Sequence, residues 1–319
     1  MICSTVPLSC LGGAEVRIGI DETGRGAMLG PMIYTAAYWA ESDDAAISKI
    51  GYDDSKGLSA KKRAEFAKGM DADGRIGYTC RLVSSKEISQ LMTRRSPISL
   101  NVIAFDATVA AVQAVLDAGV RVTRAFVDTV GDPERWRQKL SRVFNDRIDF
   151  VVEKKADATY PVVSAASIIA KYLRDASVEF GTLFEEPHIR AAGPHVLGSG
   201  YPGDPKMKAW AETHVDKVFA YPSCMRFAWK NVRVVLEDEA RCAAVDWGDE
   251  EDDEADPAQL SLMGWFGAGG ARGGGRKRGG ATSSRDAASK TSPSCAASAR
   301  DAARVAAHAA LVSCYVFSD

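Results

Sequence analysis

The most constraining feature of this 319-residue chain is a pair of adjacent acids between a short apolar strand and a glycine-rich turn. Ile18–Gly26 reads IGIDETGRG, and the β-branched and aromatic residues of Met32–Trp39 favour a second strand. Carboxylates are the ligands that magnesium prefers, and glycines let backbone N–H groups approach a phosphate or sugar. The segment therefore predicts a hairpin with a metal site beside an anion site, which indicates phosphodiester chemistry.

Two alternatives compete with this interpretation of the turn. The glycines at Gly24, Gly26 and Gly30 weakly resemble a dinucleotide-binding fingerprint, but such a turn opens a helix, whereas Pro31 leads into a strand. An ordinary hairpin turn with two solvated acids is the second alternative. Residues elsewhere in the chain must decide between them.

The first part of the chain predicts an antiparallel sheet with a flanking helix. Arg17–Ile20, Met32–Trp39 and Ile76–Val83 are strand candidates. Ser59 is a plausible N-cap for a helix through Lys68, because a serine at this position can accept a hydrogen bond from the first turn.

The middle of the chain predicts a change to parallel strands. Asn101–Ala118 has apolar residues at helical spacing and is closed by Gly119. A strand at Ala125–Val127, a helix at Pro133–Phe144 and a strand at Ile148–Val152 follow, and this order implies parallel pairing. We expect an α/β fold.

Three acids follow or end predicted strands and could meet at one sheet edge. Asp21 ends the first strand, Asp128 ends the strand at Ala125–Val127, and Asp157 follows the last strand. Each alone is more often a cap or turn former. Adjacent strand residues face opposite ways, so Asp21 and Glu22 can serve one metal site only if the strand breaks, as the following glycines make credible.

Five motifs in fixed order carry a resemblance to a known family. They are IGIDETGRG at 18–26, DDSK at 53–56, AFVDTVG at 125–131, KADATYPVVSAASIIAK at 155–171 and GSGYPGDP at 198–205. From about residue 16 to about residue 236, the chain resembles the catalytic subunits of type 2 ribonuclease H, with motifs closer to eukaryotic and archaeal members than to bacterial ones.

The resemblance implies a fold and an activity. The fold would be a ribonuclease H-like five-stranded mixed sheet flanked by helices, with a helical C-terminal extension over about 165–239. The activity would be hydrolysis of the RNA strand of RNA/DNA hybrids and cleavage 5′ of single ribonucleotides in duplex DNA, leaving 3′-hydroxyl and 5′-phosphate ends. Roles in ribonucleotide removal and in RNA primer removal during replication would follow.

The resemblance also implies the catalytic residues. They would be four acids that hold two magnesium ions, with manganese able to substitute: Asp21, Glu22, Asp128 and Asp157. Related nucleases of the same fold class would not carry these acids in these motifs. A catalytically idle binding scaffold would have lost them, and all four are present.

Substrate-binding residues are implied in the same way. The backbone of Gly24, Arg25 and Gly26 would read the ribonucleotide 2′-hydroxyl and the adjoining phosphate, and Tyr201 would pack on the following sugar. Contacts with the nucleic-acid backbone would come from three basic residues: Lys56, Lys171 and Arg174. Without the resemblance, Tyr201 would be taken as a packing anchor and the basic residues as solvated surface groups.

Composition divides the chain into a catalytic domain, 1–240, and a tail, 241–319. The first part carries 31 Lys/Arg and 31 Asp/Glu, so a nucleic-acid surface there must be a local patch. The tail combines an acidic run at 246–256 with a glycine-rich run at 267–280 that contains Arg276–Arg278. We expect this tail to be disordered.

A short apolar motif, Gln259–Phe266, lies within the tail. It resembles a sliding-clamp-binding motif, and it could equally contact the two noncatalytic subunits with which eukaryotic relatives form a heterotrimer, or have no partner. The seven cysteines form no disulfide framework, which favours a reducing compartment. We expect no membrane segment and, from the eukaryotic-like resemblance, a location in the nucleus.

Overall fold

A mixed six-stranded sheet in the order β1-β4-β3-β2-β5-β6 forms the centre of the structure. The computed structural model describes residues 1–52, 57–179, 198–238 and 242–243, all within one compact unit. The strands are β1 Ile2–Cys3, β2 Val16–Thr23, β3 Met32–Ala40, β4 Gly77–Val83, β5 Val122–Asp128 and β6 Asp149–Glu153.

Helices cover both faces of the sheet. They are α1 Asp44–Ile47, α2 Ala60–Asp73, α3 Ser85–Thr93, α4 Leu100–Asp117, α5 Pro133–Val143, α6 Pro161–Glu179, α7 Pro205–Thr213 and α8 Lys230–Leu236. The predicted α/β class is confirmed, and so are the five predicted strands. The additional strand, β1, pairs antiparallel with β4 at the edge of the sheet.

The pairing of the strands follows the predicted change of direction. β2, β3 and β4 are antiparallel neighbours, whereas β5 is parallel to both β2 and β6. A strand, helix, strand connection such as β5-α5-β6 produces parallel pairing because the helix returns the chain to the same end of the sheet. The carboxyl ends of β2, β5 and β6 therefore share one edge.

Local capping signals also agree with the structure. The Ser59 hydroxyl accepts a hydrogen bond from the Lys62 N–H at the start of α2. Asp132 caps α5 by accepting from the Arg135 N–H, and Pro133 occupies the first turn. After α4, Gly119 adopts a φ of +82°, a left-handed conformation that favours glycine after a helix.

The two faces of the sheet pack against different helices. Apolar residues of β2, including Val16, Ile18 and Ile20, pack with α4 and α5. The opposite face packs on α6, where a Cβ on Gly19 would lie 2.3 Å from the Val162 carbonyl carbon. The glycine is required at this position because it lets α6 lie directly on β2.

Helix α4 is apolar enough to raise the question of a membrane span. It has 18 residues and a mean hydropathy of 1.4, and within the described parts of the chain it is the single helix that could cross a membrane by length and composition. Its buried residues pack on β3 and β4. A core helix has the same properties, so this finding does not indicate a membrane segment.

The last described part of the chain forms a small helical lobe. α7 and α8 share an apolar cluster with Met28 and Leu29, which follow β2 in the chain. The lobe therefore packs on the loop that begins at the proposed metal site. Lys56 and the motif Gln259–Phe266 lie outside the described residues.

Candidate active site

Three carboxylates from three chain segments meet at the carboxyl edge of the sheet. Ile20 pairs with Val127, so the following residues, Asp21 and Asp128, are neighbours on the α6 face of the sheet. Asp157 joins them from a short 3₁₀ turn after β6. One carboxylate oxygen from each acid lies within 4.8 Å of the other two.

The turn after β6 brings Asp157 to the other two acids. Lys155 has a φ of +61° and reverses the chain before the turn Ala156–Ala158. The Ala156 N–H then donates to Asp128 Oδ1 at 3.1 Å. Asp157 is buried, and this hydrogen bond ties its turn directly to the neighbouring acid.

Glu22 lies on the other face of β2, and the strand break that we expected is absent. β2 stays paired with β3 through Asp21↔Thr35, Glu22↔Tyr34 and beyond, to Thr23. Because successive residues of a regular strand alternate faces, Asp21 points towards α6 and Glu22 towards α4. Glu22 is therefore outside the group of three mutually close acids.

Burial and mutual repulsion shape the charge of these acids. Burial raises the pKa of Asp21, and the Asp128 charge adds to the increase, whereas a hydrogen bond with Ser167 and the charge of Lys171 oppose it. Burial also raises the pKa of Glu22, and the charges of Asp21 and Asp128 contribute further. A bound cation would relieve this repulsion.

The acidic trio fits a divalent metal by its chemistry. All three groups offer hard carboxylate oxygens, and they are close enough to share ligands. Lys171 is half-buried one turn after Ser167 on α6, and its charge acts on Asp21. Lys171 therefore lies beside the acidic trio, and its predicted contact with a nucleic-acid backbone stays a prediction.

The loop from Gly24 to Gly30, which we call the glycine loop, begins directly after the end of β2. Gly24 has a φ of +78°, and a Cβ there would lie 2.4 Å from the Pro31 carbonyl oxygen, so only glycine fits without strain. The Arg25 side chain donates to Asn101 Oδ1 at the start of α4. The Arg25 side chain is therefore held on the α4 side of the loop, towards Glu22. Its positive charge opposes the rise in the Glu22 pKa that burial causes.

The structure brings Tyr201 onto this loop. A Cβ placed on Gly26 would lie 3.6 Å from Tyr201 Cε1, so the ring covers the glycine at ordinary contact distance. Tyr201 is 37% exposed. Two motifs that are far apart in the sequence thus form one surface beside the acids, with the ring accessible to a ligand.

Arg174 occupies a different place from the one we expected. Instead of facing solvent near a nucleic-acid backbone, it is 5% exposed, and its guanidinium stacks on the Tyr201 ring at 5.0 Å. Its Nη2 donates to the Ser199 carbonyl oxygen at 2.8 Å. The loop around Gly200 covers the face of α6 that carries Arg174. This arginine therefore stabilises the loop through its hydrogen bond to Ser199 and its contact with Tyr201.

Arg226 is a further site residue that sequence reasoning missed. It is completely buried and donates four hydrogen bonds to carbonyl oxygens of Gly24, Arg25 and Gly30. The available signal was an arginine within the apolar and aromatic stretch MRFAW at 225–229, since a buried arginine usually has a specific set of acceptors.

Comparisons with known proteins agree with this geometry. A family described as ribonuclease HII has a sequence model that matches residues 18–232. The A-subunit of ribonuclease H2 from Bos taurus is 41% identical over 251 residues, covering 78% of this chain and 82% of the relative. The segment matched by the family model contains all four acids and the loop that carries Tyr201.

Solved structures of similar proteins show the same fold. The crystal structure of ribonuclease H2 from Pyrococcus horikoshii has a TM-score of 0.56 and 30% identity, covering 71% of this chain and 98% of that chain. Ribonuclease HII from Archaeoglobus fulgidus, solved in a complex with PCNA, has a TM-score of 0.53 and 30% identity, with 67% and 95% covered.

Proposed function

The chain belongs to the ribonuclease HII family and is an RNA–DNA hybrid ribonuclease, and we propose that it cuts on the 5′ side of ribonucleotides. Its substrates would be RNA/DNA hybrids and duplex DNA that contains single ribonucleotides. The products would carry 3′-hydroxyl and 5′-phosphate ends. The observation that carries this proposal is the acidic trio beside the glycine loop, with Tyr201 lying on that loop.

The acids would hold the divalent metal. Asp21, Asp128 and Asp157 each place a carboxylate oxygen close to the other two, and Glu22, on the opposite face of β2, interacts electrostatically with all three. When bound, two divalent ions activate a water molecule and neutralise charge on the leaving oxygen. We propose magnesium as the physiological ion, with manganese able to substitute, because the ligands are all hard oxygens.

Other residues would position the substrate. The backbone of Gly24–Gly26 would read the 2′-hydroxyl and the adjoining phosphate, and the exposed Tyr201 ring would pack on the next sugar. A flat ring accepts a deoxyribose at this position and disfavours a second ribose. Lys171 would contribute positive charge beside the acids, where the scissile phosphate must bind.

Cleavage of a labelled duplex with one embedded ribonucleotide tests the proposal. With magnesium, we expect a single cut 5′ of the ribonucleotide and a product with a 3′-hydroxyl end. The same duplex with deoxyribose at that position is the matched control. Cleavage of the all-DNA control, or cleavage that persists in excess chelator, would contradict the proposal.

The proposed function includes the protein partners of the enzyme and its location in the cell. The relatives are named as the A-subunit of ribonuclease H2, which supports assembly with two noncatalytic subunits. The complex of the Archaeoglobus relative with PCNA supports contact with a sliding clamp, for which Gln259–Phe266 is the candidate segment. We propose that the enzyme acts in the nucleus, in ribonucleotide removal and RNA primer removal.

A further inference from the structure

We infer that Arg226 is the positioning residue that holds the Gly24–Gly26 backbone in its ligand-binding conformation. This inference rests on the proposed function, because it assigns the residue that organises the proposed 2′-hydroxyl and phosphate subsite. Arg226 is 0% exposed and is separated from Gly24 by 202 residues of sequence. Nothing in its own neighbourhood of the sequence indicates what it binds.

The guanidinium of Arg226 joins both ends of the glycine loop. Nη2 donates to the Gly24 carbonyl oxygen at 2.7 Å, and Nη1 donates to that of Arg25 at 3.0 Å. The Gly30 carbonyl oxygen accepts from Nε at 2.9 Å and from Nη2 at 2.8 Å. A planar fork with five N–H donors can make this set of bonds, and a lysine ammonium cannot match its geometry.

These bonds determine where the loop N–H groups point. In a trans peptide, the C=O and the following N–H point in opposite directions. Because Arg226 holds the Gly24 and Arg25 carbonyls, the N–H groups of Arg25 and Gly26 point away from it. No described residue accepts a hydrogen bond from either N–H. Two adjacent N–H groups directed to one side form a site for an anion or a hydroxyl oxygen.

Contacts with Met28 and Trp229 fix the position of Arg226 itself. Its own N–H donates to the Met28 carbonyl oxygen at 2.9 Å, and its guanidinium stacks on the Trp229 ring at 4.8 Å. Leu29 and Met225 form an isolated bridge beside it. The helical lobe therefore fixes the arginine, and the arginine fixes the loop.

The competing explanation is that the positive charge of Arg226 attracts a phosphate, and that its hydrogen bonds to the loop have no role in binding. No carboxylate of the described residues forms an ion pair with Arg226, and burial lowers its pKa together with the charge of the other buried cation, Arg174. Arg226→Lys separates the two roles, since it retains the positive charge and removes the fork. A purely electrostatic role predicts wild-type behaviour for this variant, and a positioning role predicts a loss.

The experiment uses the full-length chain and two duplexes that differ in one ribonucleotide. Fluorescence anisotropy in excess chelator measures affinity without cleavage, and steady-state kinetics with magnesium measures kcat and KM. For Arg226→Lys, we expect kcat on the ribonucleotide duplex to fall about 10- to 100-fold, because small displacements of aligned groups are costly. Preference for the ribonucleotide duplex should fall, whereas affinity for the all-DNA duplex should change little.

Val232→Ala is the matched control. Val232 is also completely buried and belongs to the same apolar lobe, yet it makes no hydrogen bond to the glycine loop. It should lower the melting temperature while leaving kcat and the ribonucleotide preference unchanged. Equal kinetic losses in both variants would show that Arg226 acts only through general stability and would overturn the inference.

A second variant covers the case in which Arg226→Lys does not fold. Trp229→Leu removes the ring under the guanidinium and retains the arginine, so we expect the ribonucleotide preference to fall about two- to fivefold, as for the loss of a cation–π contact. An unchanged preference in a folded variant of either kind overturns the inference. Absence of any preference in the wild type would instead contradict the proposed function.

Discussion

Asp21 and Glu22 are adjacent in sequence and lie on opposite faces of strand β2, because pairing with β3 keeps the strand extended through both residues. Asp21 shares the α6 face with Asp128 and the nearby turn that carries Asp157. On the other face, Glu22 pairs with Tyr34 of β3, and the positive charge of Arg25 partly offsets the rise in the Glu22 pKa that burial causes. The four acids therefore divide into three that meet and one that lies on the other face of β2.

Asp128→Asn should abolish cleavage and preserve the fold. Asp128 holds the turn of Asp157 through Oδ1, which an Asn side chain can still supply as an acceptor. The loss of one carboxylate charge from the trio should weaken metal binding, so we expect turnover to fall at least about 100-fold. Duplex affinity in chelator should change little, because phosphate contacts supply much of it. Near-normal turnover would remove Asp128 from the metal site.

Glu22→Gln should be less severe than Asp128→Asn. Since Glu22 lies outside the mutually close trio, we expect the variant to retain weak activity, which manganese should increase relative to magnesium. Cleavage rates with each metal, measured side by side with Asp128→Asn, check this ranking. Identical inactivity of both variants with both metals would show that Glu22 is as important for cleavage as the three mutually close acids.

Asp21→Asn should stabilise the metal-free protein at neutral and alkaline pH. Burial raises the folded-state pKa of Asp21, so its stability contribution is fully present below the unfolded pKa of about 3.9 and is lost as pH rises through the folded value. Because an Asn side chain does not ionise, the variant does not lose this stability as the pH rises. We expect a melting temperature above that of wild type near pH 8, by about 2–4 °C per kcal/mol of penalty removed.

The pH dependence and the response to metal provide the controls for this stability prediction. The difference between Asp21→Asn and wild type should shrink towards pH 5, where the wild-type carboxyl is increasingly protonated. Magnesium should raise the melting temperature of wild type more than that of the variant, because ligand binding stabilises the folded state. A constant difference at all pH values would contradict the assigned cause.

Tyr201→Ala should affect single ribonucleotides more than long hybrids. The ring lies on Gly26 and stacks on Arg174, so its removal takes away the surface proposed for the sugar after the ribonucleotide. We expect a loss of about 10-fold or more on the embedded ribonucleotide, taking the contact between ring and sugar to be worth about as much as the stacking of a base on an aromatic side chain. Initial rates on both substrates check this, and equal losses would reduce Tyr201 to a packing residue.

Removal of residues 257–319 should leave cleavage of short duplexes nearly unchanged. The described site lies entirely within residues 21–226, whereas the deleted part contains Gln259–Phe266. We expect the truncated chain to bind the sliding clamp or the accessory subunits more weakly. Pull-downs of both chains against each purified partner distinguish these alternatives, and equal recovery of all partners would eliminate a docking role.

The sequence by itself determined the elements and the acids of this protein. The N-cap at Ser59, the proline that opens α5, and the strand, helix, strand order are local patterns, and the structure contains each of them. The convergence of Asp21 and Asp128 followed from parallel strand ends sharing an edge. These features were predictable because neighbours in sequence, or simple topology, determine them.

Only the tertiary structure decided which way the supporting side chains point. The β3 partner strand kept β2 regular and placed Glu22 on the α4 face. Arg174 became buried because the Gly198–Gly203 loop covers its face of α6. Arg226 meets Gly30 across 196 residues of sequence. Contacts of this range depend on how the completed sheet and the helical lobe pack, and no local pattern in the chain encodes them.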